Sequence, residues 1–397
     1  MQQSRLFKAS CLALIATAMS FAIRGDIMGD FERVFLLDKT QVGWISGAAF
    51  WGFGLSILFG GPLCDILGMA TLLRLAALGH IGGTLLTLVA PNFPALFAAT
   101  VIIGIANGLV EAAINPLVTT IYPQDKTARL TALHAWFPGG IVIGGVLCFV
   151  FTQIGLGWQA KMLLMLIPSA IYAALFFGQT FPATERQAAG VPFSQMFSEV
   201  LRPLFLLIFI CMWLTAATEL GPGQWVANIF NDMMHSDAKV GILLLVWING
   251  IMYVMRQFFG DISHKVSPVL LIASTALLAA AGLFLFGQAN TPPIAFLAAA
   301  LLAMGTAFWW PTMLGITSER FPRSGALGLA VIGAAGSFST ALAGPVMGWI
   351  NDHYGAAHVL PIWAILPVVL CVIFALIHVS DKARGGYRIE QISAAHR

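Results

Sequence analysis

The stretch FPALFAATVIIGIANGLVEAAINPLVTTI, residues 93–121, contains a single charged side chain, that of Glu111. About 20 mostly apolar residues in a helix cross the hydrocarbon core of a bilayer. Polar segments that contain proline, at 91–94 and 122–125, bound the stretch on both sides, as is typical of turns between helices. The stretch therefore predicts one transmembrane helix.

The rest of the chain repeats this pattern. Only 9% of the 397 residues are charged, whereas soluble proteins carry about 25%. A chain with so few charges cannot cover a water-facing surface, so we predict an all-α membrane protein with twelve transmembrane helices. The predicted helices span residues 7–34, 41–64, 69–89, 93–121, 128–153, 160–180, 201–229, 238–261, 268–287, 291–318, 325–350 and 358–379.

Lysine and arginine residues are distributed unevenly between the predicted loops. With a cytoplasmic N-terminus, most of them lie on the inner side, and those outside are Arg33, Lys39, Lys161 and Lys239. Cytoplasmic loops are enriched in positive charge. We therefore predict a multi-pass protein of the cell (inner) membrane with both termini cytoplasmic.

The longest polar segment divides the chain in two. Residues 181–200 are a predicted cytoplasmic linker between an N-terminal half, residues 1–180, and a C-terminal half, residues 201–380, which is followed by a cytoplasmic tail at 381–397. Each half contains six predicted helices. Two pseudo-symmetric halves are typical of secondary transporters, which bind their substrate near the midplane between the repeats.

Charged side chains inside apolar stretches are the first candidates for such a site. Asp26, Glu111 and Glu219 are the acidic ones, and Arg24 and His134 accompany them. A charge in hydrocarbon costs several kcal/mol and is tolerated mainly where it faces a cavity or a partner. We expect these side chains to bind substrate or a coupling ion.

Arg24, Gly25 and Asp26 interrupt the first predicted helix, and glycine favours a kink there. Residues two apart do not share a face of a regular helix. We therefore predict that Asp26 pairs with Glu111 from another helix, with Arg24 between the two carboxylates. The alternative is a purely structural ion pair that holds the two helices together.

Glu111 and Asn115 are four residues apart, so both can face one cavity. Pro116 follows directly and leaves a backbone carbonyl without its helical donor. A carboxylate, an amide and a free carbonyl suit a polyhydroxylated ligand or a proton relay.

Glu219 precedes the sequence Gly221-Pro222-Gly223, which predicts a break in the seventh helix. Interrupted helices at corresponding places in two halves indicate a transporter site. We predict that Glu219 binds substrate, the alternative being that it bonds backbone N–H groups that the break frees.

Further substrate contacts are expected from His134, Trp225, Asn249 and Trp309. Indole rings pack on the C–H faces of sugars, while amides bond their hydroxyl groups. The alternatives are a hydrogen-bonded core residue for His134 and a membrane-interface position for each tryptophan.

Asp65, Arg256 and Asp261 occupy equivalent places after the second and eighth predicted helices. An acidic side chain at a helix end can bond nearby N–H groups or an arginine. We predict that these three residues form gates, the alternative being simple helix capping.

Two motifs resemble known families. Gly61-x-x-x-Asp65-x-x-Gly68 resembles the loop signature of the major facilitator superfamily, although basic residues usual after the second glycine are absent. Residues 107–139, with Glu-Ala-Ala-Ile-Asn-Pro at 111–116, resemble the fucose–galactose–glucose:proton symporter family. So do short segments in predicted helices 1, 7 and 10.

The resemblance implies the major facilitator fold and proton-coupled sugar uptake by alternating access. It implies that Asp26 and Glu111 are the carboxylates tied to proton and sugar. The chain departs from the family in the fifth helix, where His134 and Phe137 replace the Gln and Asn of fucose symporters, which puts fucose itself in doubt.

The leading hypothesis is therefore proton-coupled uptake of a monosaccharide or related polar solute. Alternatives are transport of a sugar acid or another anion, which Arg24 would favour, sodium coupling, and export of amphipathic drugs or lipids. The sequence has no convincing nucleophile–base pair, metal cluster or phosphate loop, so we predict no enzyme and no cofactor. The predicted partners are a small solute and membrane lipids; nucleic acid is not expected, and we predict a monomer.

Overall fold

The computed structural model describes residues 2–37, 39–188, 190, 192–234, 238–258 and 265–391. These residues contain helices and connecting turns but no strand. The helices are α1 (Gln2–Val34), α2 (Lys39–Leu67), α3 (Met69–Val89), α4 (Phe93–Ile121), α5 (Lys126–His134), α6 (Trp136–Gln153), α7 (Trp158–Leu163), α8 (Leu166–Phe176), α9 (Glu185–Ala188), α10 (Phe193–Val200), α11 (Pro203–Met234), α12 (Ala238–Phe258), α13 (Pro268–Gly287), α14 (Pro292–Thr306), α15 (Trp309–Arg320), α16 (Gly325–Tyr354), α17 (Ala356–Trp363) and α18 (Ile365–Ala383).

Within this part of the chain, 11 helical segments are long and apolar enough to cross a membrane, and the shorter apolar helix Leu243–Phe258 provides a further span. The prediction of an all-α membrane protein with twelve transmembrane helices is confirmed. Four spans consist of two helices with a kink between them: α5 with α6, α7 with α8, α14 with α15, and α17 with α18.

Prolines explain these four kinks. In each kinked span, the third residue of the second helix is a proline, which has no N–H for the carbonyl four residues earlier and whose ring clashes with that carbonyl. The helix therefore breaks just before it. These prolines are Pro138, Pro168, Pro311 and Pro367.

The expected breaks in the first and seventh spans are wrong. α1 continues through Gly25, and α11 continues through Pro222 to Met234. In hydrocarbon each unpaired backbone group costs several kcal/mol, so a continuous helix is the cheapest conformation where no other donor replaces the helical bonds. Gly25 tolerates helical angles, and Pro222 removes only one bond.

Helices α1–α8 pack mainly against one another, and α11–α18 do the same. The two groups meet where α2 packs against α16, α6 against α12, and α5 against α15. Helix interfaces in membranes rely on small residues that let backbones approach closely. Gly104 of α4 is one of them, because a Cβ atom there would lie 2.5 Å from the carbonyl oxygen of Ala49 in α2.

This contact supports a prediction on stability. We expect Gly104→Ala to lower the melting temperature of the purified protein, because neither backbone can yield to the added methyl group and overpacking costs about 1–3 kcal/mol. Gly82 of α3 provides the matched control, since a Cβ atom there would meet nothing within 4 Å. Gly82→Ala should be neutral or stabilising. Equal melting temperatures of the two variants would contradict the packing.

A buried hydrogen-bond chain joins four helices of the first group. The two ring nitrogens of His80 lie 3.0 Å from the hydroxyl of Tyr172 and 2.8 Å from the side-chain oxygen of Asn107. Asn107 in turn donates to Ser20 at 2.9 Å. Because its members satisfy one another, this chain ties α1, α3, α4 and α8 together rather than forming a binding site.

Candidate functional site

A cavity lies between the two groups of helices and has about 470 Å³ of empty volume, including space open to solvent. Pockets for small molecules are mostly apolar with a few polar groups. We call it the central cavity. Its lining residues come from both groups: Phe21, Phe50, Phe53, Glu111, His134, Phe137, Glu219, Leu220, Arg256, Trp310, Ser337 and Thr340.

One wall of the central cavity is aromatic. The ring centroid of Phe21 in α1 lies 5.0 Å from that of Phe50, 5.8 Å from that of Phe53 and 6.2 Å from that of Phe137. Trp310 of α15 adds an indole ring from the other group. Such rings supply a large rigid contact area to the uncharged part of a ligand.

Glu111 forms a hydrogen-bonded triad with Asn115 and His134. The Asn115 amide donates to Glu111 Oε2 at 2.8 Å, and His134 Nε2 lies 2.9 Å from the Asn115 oxygen and 3.9 Å from Glu111 Oε2. The amide oxygen is an acceptor, so the network assigns the proton to Nε2 of His134. The three side chains are at most 5% exposed. The structure thus brings Glu111 and Asn115 together, as their spacing predicts, and adds His134 to them.

Arg256 forms the second polar cluster of the cavity. It donates to Glu219 Oε1 and to the carbonyl of Ala307. It also donates to the carbonyl of His134 at 2.8 Å, so one guanidinium joins the second group of helices to the first. Glu219 Oε2 also accepts a hydrogen bond from the backbone N–H of Trp310 at 3.3 Å. This N–H group lies in the first turn of α15, where it has no acceptor within the helix.

The placement of Arg256 corrects the sequence-based expectation. The residue was expected at a loop gate after the eighth helix, but it lies inside α12 and is 2% exposed. Glu219 was expected to bind substrate, and it lines the central cavity while paired with Arg256. An arginine near the end of an apolar stretch can face a loop or a cavity equally well, and only the partner Glu219 decides between them.

Asp26 does not pair with Glu111. Its carboxylate forms an ion pair with Lys161 of α7, with 2.5 Å between Oδ2 and Nζ. The pair lies away from the lining of the central cavity, and the Asp26 side chain is 27% exposed. The expected acidic pair is therefore wrong. Because α1 stays helical through Gly25, Asp26 faces α7, where the buried cation of Lys161 is available.

Three other predicted contacts lie elsewhere. Trp309 is fully buried and donates to Thr275 of α13 at 2.9 Å, so its neighbour Trp310 takes its place in the cavity wall. Asn249 donates to the carbonyl of Leu245 in its own helix. Trp225 belongs to α11, but its side chain lies outside the described residues.

Of the predicted gates, Asp65 contacts the segment that follows α8. Its carboxylate accepts from the Thr184 hydroxyl at 2.6 Å, and its backbone carbonyl accepts from Gln187. Asp65 thus holds the end of α2 to residues 184–187. Asp261 lies outside the described residues.

A second set of contacts closes one end of the molecule, which we call the terminal side because α1 begins and α18 ends there. Thr127 of α5 donates to Glu319 Oε1 at 2.5 Å, and Lys126 lies 3.5 Å from the carbonyl of Ser318. Tyr387 donates to Glu319 Oε2 at 2.7 Å. Burial, and next the Glu319 carboxylate, raise the pKa of the Tyr387 phenol well above its ordinary value, so it remains a donor.

The described ranges contain no group of three or more His, Cys, Asp or Glu side chains that could bind a metal ion.

The site consists of two buried polar clusters, Glu111 with its partners and Glu219 with Arg256, which face an aromatic wall. The phenylalanine residues of the aromatic wall could not be singled out from the sequence, because phenylalanine is common in the apolar stretches.

The sequence profile of the Major Facilitator Superfamily matches residues 6–331. The chain belongs to this superfamily. It is therefore a multi-pass membrane transporter and not an enzyme, and the resemblance to the superfamily is confirmed.

Relatives of known name support the same assignment. A D-xylose transporter from Levilactobacillus brevis is 26% identical over 60% of this chain and 54% of its own length, so the match spans about half of that relative. A 3-(3-hydroxy-phenyl)propionate transporter from Escherichia coli (strain K12) is 25% identical over 74% of each chain.

The superfamily transporter FucP, solved in its outward conformation, has a similar fold. The TM-score is 0.77 at 18% identity, with 93% of this chain and 98% of FucP covered. This likeness confirms the predicted major facilitator fold.

Proposed function

We propose that this transporter is a symporter that takes up a small polar solute together with a proton. The observation that carries the proposal is the environment of Glu111. The other buried acid of the cavity, Glu219, is paired with Arg256, whereas the partners of Glu111 are an amide and an imidazole. Glu111 can therefore gain and lose a proton without breaking an ion pair, and we assign the proton to it rather than to Asp26, which is paired with Lys161.

The solute is proposed to bind in the central cavity, a monosaccharide or a related organic molecule being the best fit. Its polar groups would contact Glu111, His134, Ser337 and Thr340, and its uncharged faces would pack on the aromatic wall. The D-xylose and hydroxyphenylpropionate transporters among the relatives agree with a small polar organic solute.

We propose alternating access as the mechanism, with residues 1–180 and 201–380 moving as halves about the linker 181–200. The closed terminal side would face the cytoplasm, so that both termini lie on the cytoplasmic side of the cell (inner) membrane. The protein is proposed to be a monomer. In this state solute and proton enter from the opposite side. Release of the solute into the cytoplasm requires that Thr127 separates from Glu319. The opposite side of the cavity must close at the same time, so binding in one half has to be coupled to movement of the other.

The contact between Arg256 and the His134 carbonyl gives this coupling a physical basis. His134 bonds Asn115, which bonds Glu111, so protonation of Glu111 acts on a chain of groups that ends at the other half. A change of the carboxyl from acceptor to donor rearranges that chain. We propose that this rearrangement links proton binding to movement of the halves.

The experiment is a thermal stability screen of purified protein against sugars, sugar acids, polyols and nucleosides, with Glu111→Gln beside the wild type. A ligand at 100 times its Kd stabilises the fold by about 2.7 kcal/mol. We expect one class of polar solute to raise the melting temperature, with an altered response in Glu111→Gln. A shift with amphipathic drugs or lipids alone would contradict the proposal and favour an exporter.

A further inference from the structure

Arg24 of α1 is a buried cation that the proposed mechanism does not use. Arg24 is 7% exposed. Within the described ranges its guanidinium forms neither a hydrogen bond nor an ion pair. The guanidinium carbon lies 5.6 Å from the ring centroid of Phe21. Phe21 lines the central cavity and lies one turn earlier on the same face of α1, so Arg24 lies directly behind a residue of the cavity wall.

The acidic side chains around Arg24 are already engaged. Asp26 is paired with Lys161, and Asp30 forms an ion pair with Arg33. Across the central cavity, Glu219 is paired with Arg256. The protein therefore supplies no carboxylate within ion-pair distance of Arg24 in the described part of the chain.

A buried guanidinium without an anion is costly, because it loses hydration and gains no compensating charge. Arginine offers planar, fixed N–H donors that match a carboxylate in a two-bond arrangement. The guanidinium is buried beside the apolar ring of Phe21, and a less polar environment strengthens attraction to an anion. One guanidinium balances one negative charge, so a monocarboxylate fits better than a phosphate ester with two.

We infer that the transported solute carries a carboxylate, which binds Arg24 at the edge of the central cavity while its uncharged body lies against the aromatic wall. This inference rests on the proposed solute symport and narrows its substrate to organic monocarboxylates such as sugar acids. Arg24 is then the residue that determines specificity for an anion over a neutral sugar.

The charge that moves follows from this assignment. A monocarboxylate taken up with one proton on Glu111 transfers no net charge across the membrane, whereas a neutral sugar taken up with a proton transfers one positive charge. Uptake of the anion should therefore respond to a pH gradient and not to a membrane potential.

The test uses pairs of solutes that differ in the carboxylate: D-glucuronate with D-glucose, and benzoate with benzyl alcohol. Affinities are measured by thermal shift and by binding to the purified wild type, Arg24→Gln, Arg24→Lys and the control Arg33→Gln, which removes an exposed arginine that is paired with Asp30. We expect at least one carboxylate to bind about 10- to 100-fold more tightly than its neutral partner. Arg24→Gln should abolish that preference. Arg24→Lys should retain part of it, and the control Arg33→Gln should retain all of it.

Uptake into proteoliposomes adds a readout that a structural role of Arg24 would not change. Potassium gradients with valinomycin set the potential at constant pH, and carboxylate uptake should not respond to it. Equal affinity of the wild type for the carboxylate and for its neutral partner, with potential-driven uptake of the neutral solute, would overturn the inference and leave the symport proposal standing. Binding of neither member of any pair, with no solute-dependent proton movement, would overturn both.

Discussion

Glu111→Gln is expected to abolish uptake driven by a pH gradient, reducing it to the level of empty proteoliposomes. The glutamine oxygen can still accept the hydrogen bond from Asn115, so the fold and the cavity should persist. The side chain can no longer exchange a proton, and the variant should therefore lose accumulation while it retains exchange of labelled for unlabelled solute. The measurement compares pH-driven uptake with counterflow in the same vesicles.

A matched control is Asp30→Asn, which neutralises another carboxylate of the chain at a partly exposed position beside Arg33. Its uptake should equal that of the wild type, because surface ion pairs contribute about 0–1 kcal/mol and do not touch the cavity. Unchanged pH-driven accumulation by Glu111→Gln would show that the proton binds elsewhere. In that case Asp26 would become the carboxylate to test.

Arg256→Met is expected to destabilise the protein by about 3–5 kcal/mol and to eliminate transport, because it leaves Glu219 as a buried charge without its partner. It also removes the bond to the His134 carbonyl, which joins the two groups of helices. Stability is measured by unfolding in detergent and transport by uptake into proteoliposomes. Arg33→Met is the control and should change stability by about 1 kcal/mol at most.

The double variant Glu219→Gln with Arg256→Met separates charge from shape. With neither charge buried, we expect most of the lost stability to return, while transport stays absent because the link between the groups is still missing. A single variant Arg256→Met that is as stable as the wild type would contradict the assignment of this pair. Full transport activity of the double variant would contradict the role of the Glu219–Arg256 pair in coupling the two groups of helices.

Much of the fold could be predicted from the sequence because a bilayer imposes simple rules. Apolar stretches such as 93–121 must be helices, and their number follows from their length. Spacing within one helix also predicts part of the site. Glu111 and Asn115 are one turn apart, and their side chains are hydrogen-bonded to each other. The kinks before prolines such as Pro311 follow equally from local chemistry.

Contacts between helices were beyond local reasoning. Asp26 and Glu111 both lie inside apolar stretches, and the sequence does not say that Lys161 reaches the first of them. The choice between Trp309 and Trp310 depends on a rotation of about 100° about one helix axis, which the kink before Pro311 sets. Tertiary packing, rather than any property of the single residues, decided these cases.

Proton movement that accompanies the solute is the central expectation for this transporter, and it can be measured directly. Proteoliposomes in weakly buffered medium receive the solute that most stabilises the purified protein, and the external pH is recorded. We predict alkalinisation of the medium on addition of solute, absent in Glu111→Gln and dissipated by a protonophore. Solute accumulation that leaves the external pH unchanged, or that requires a sodium gradient instead, would contradict the account.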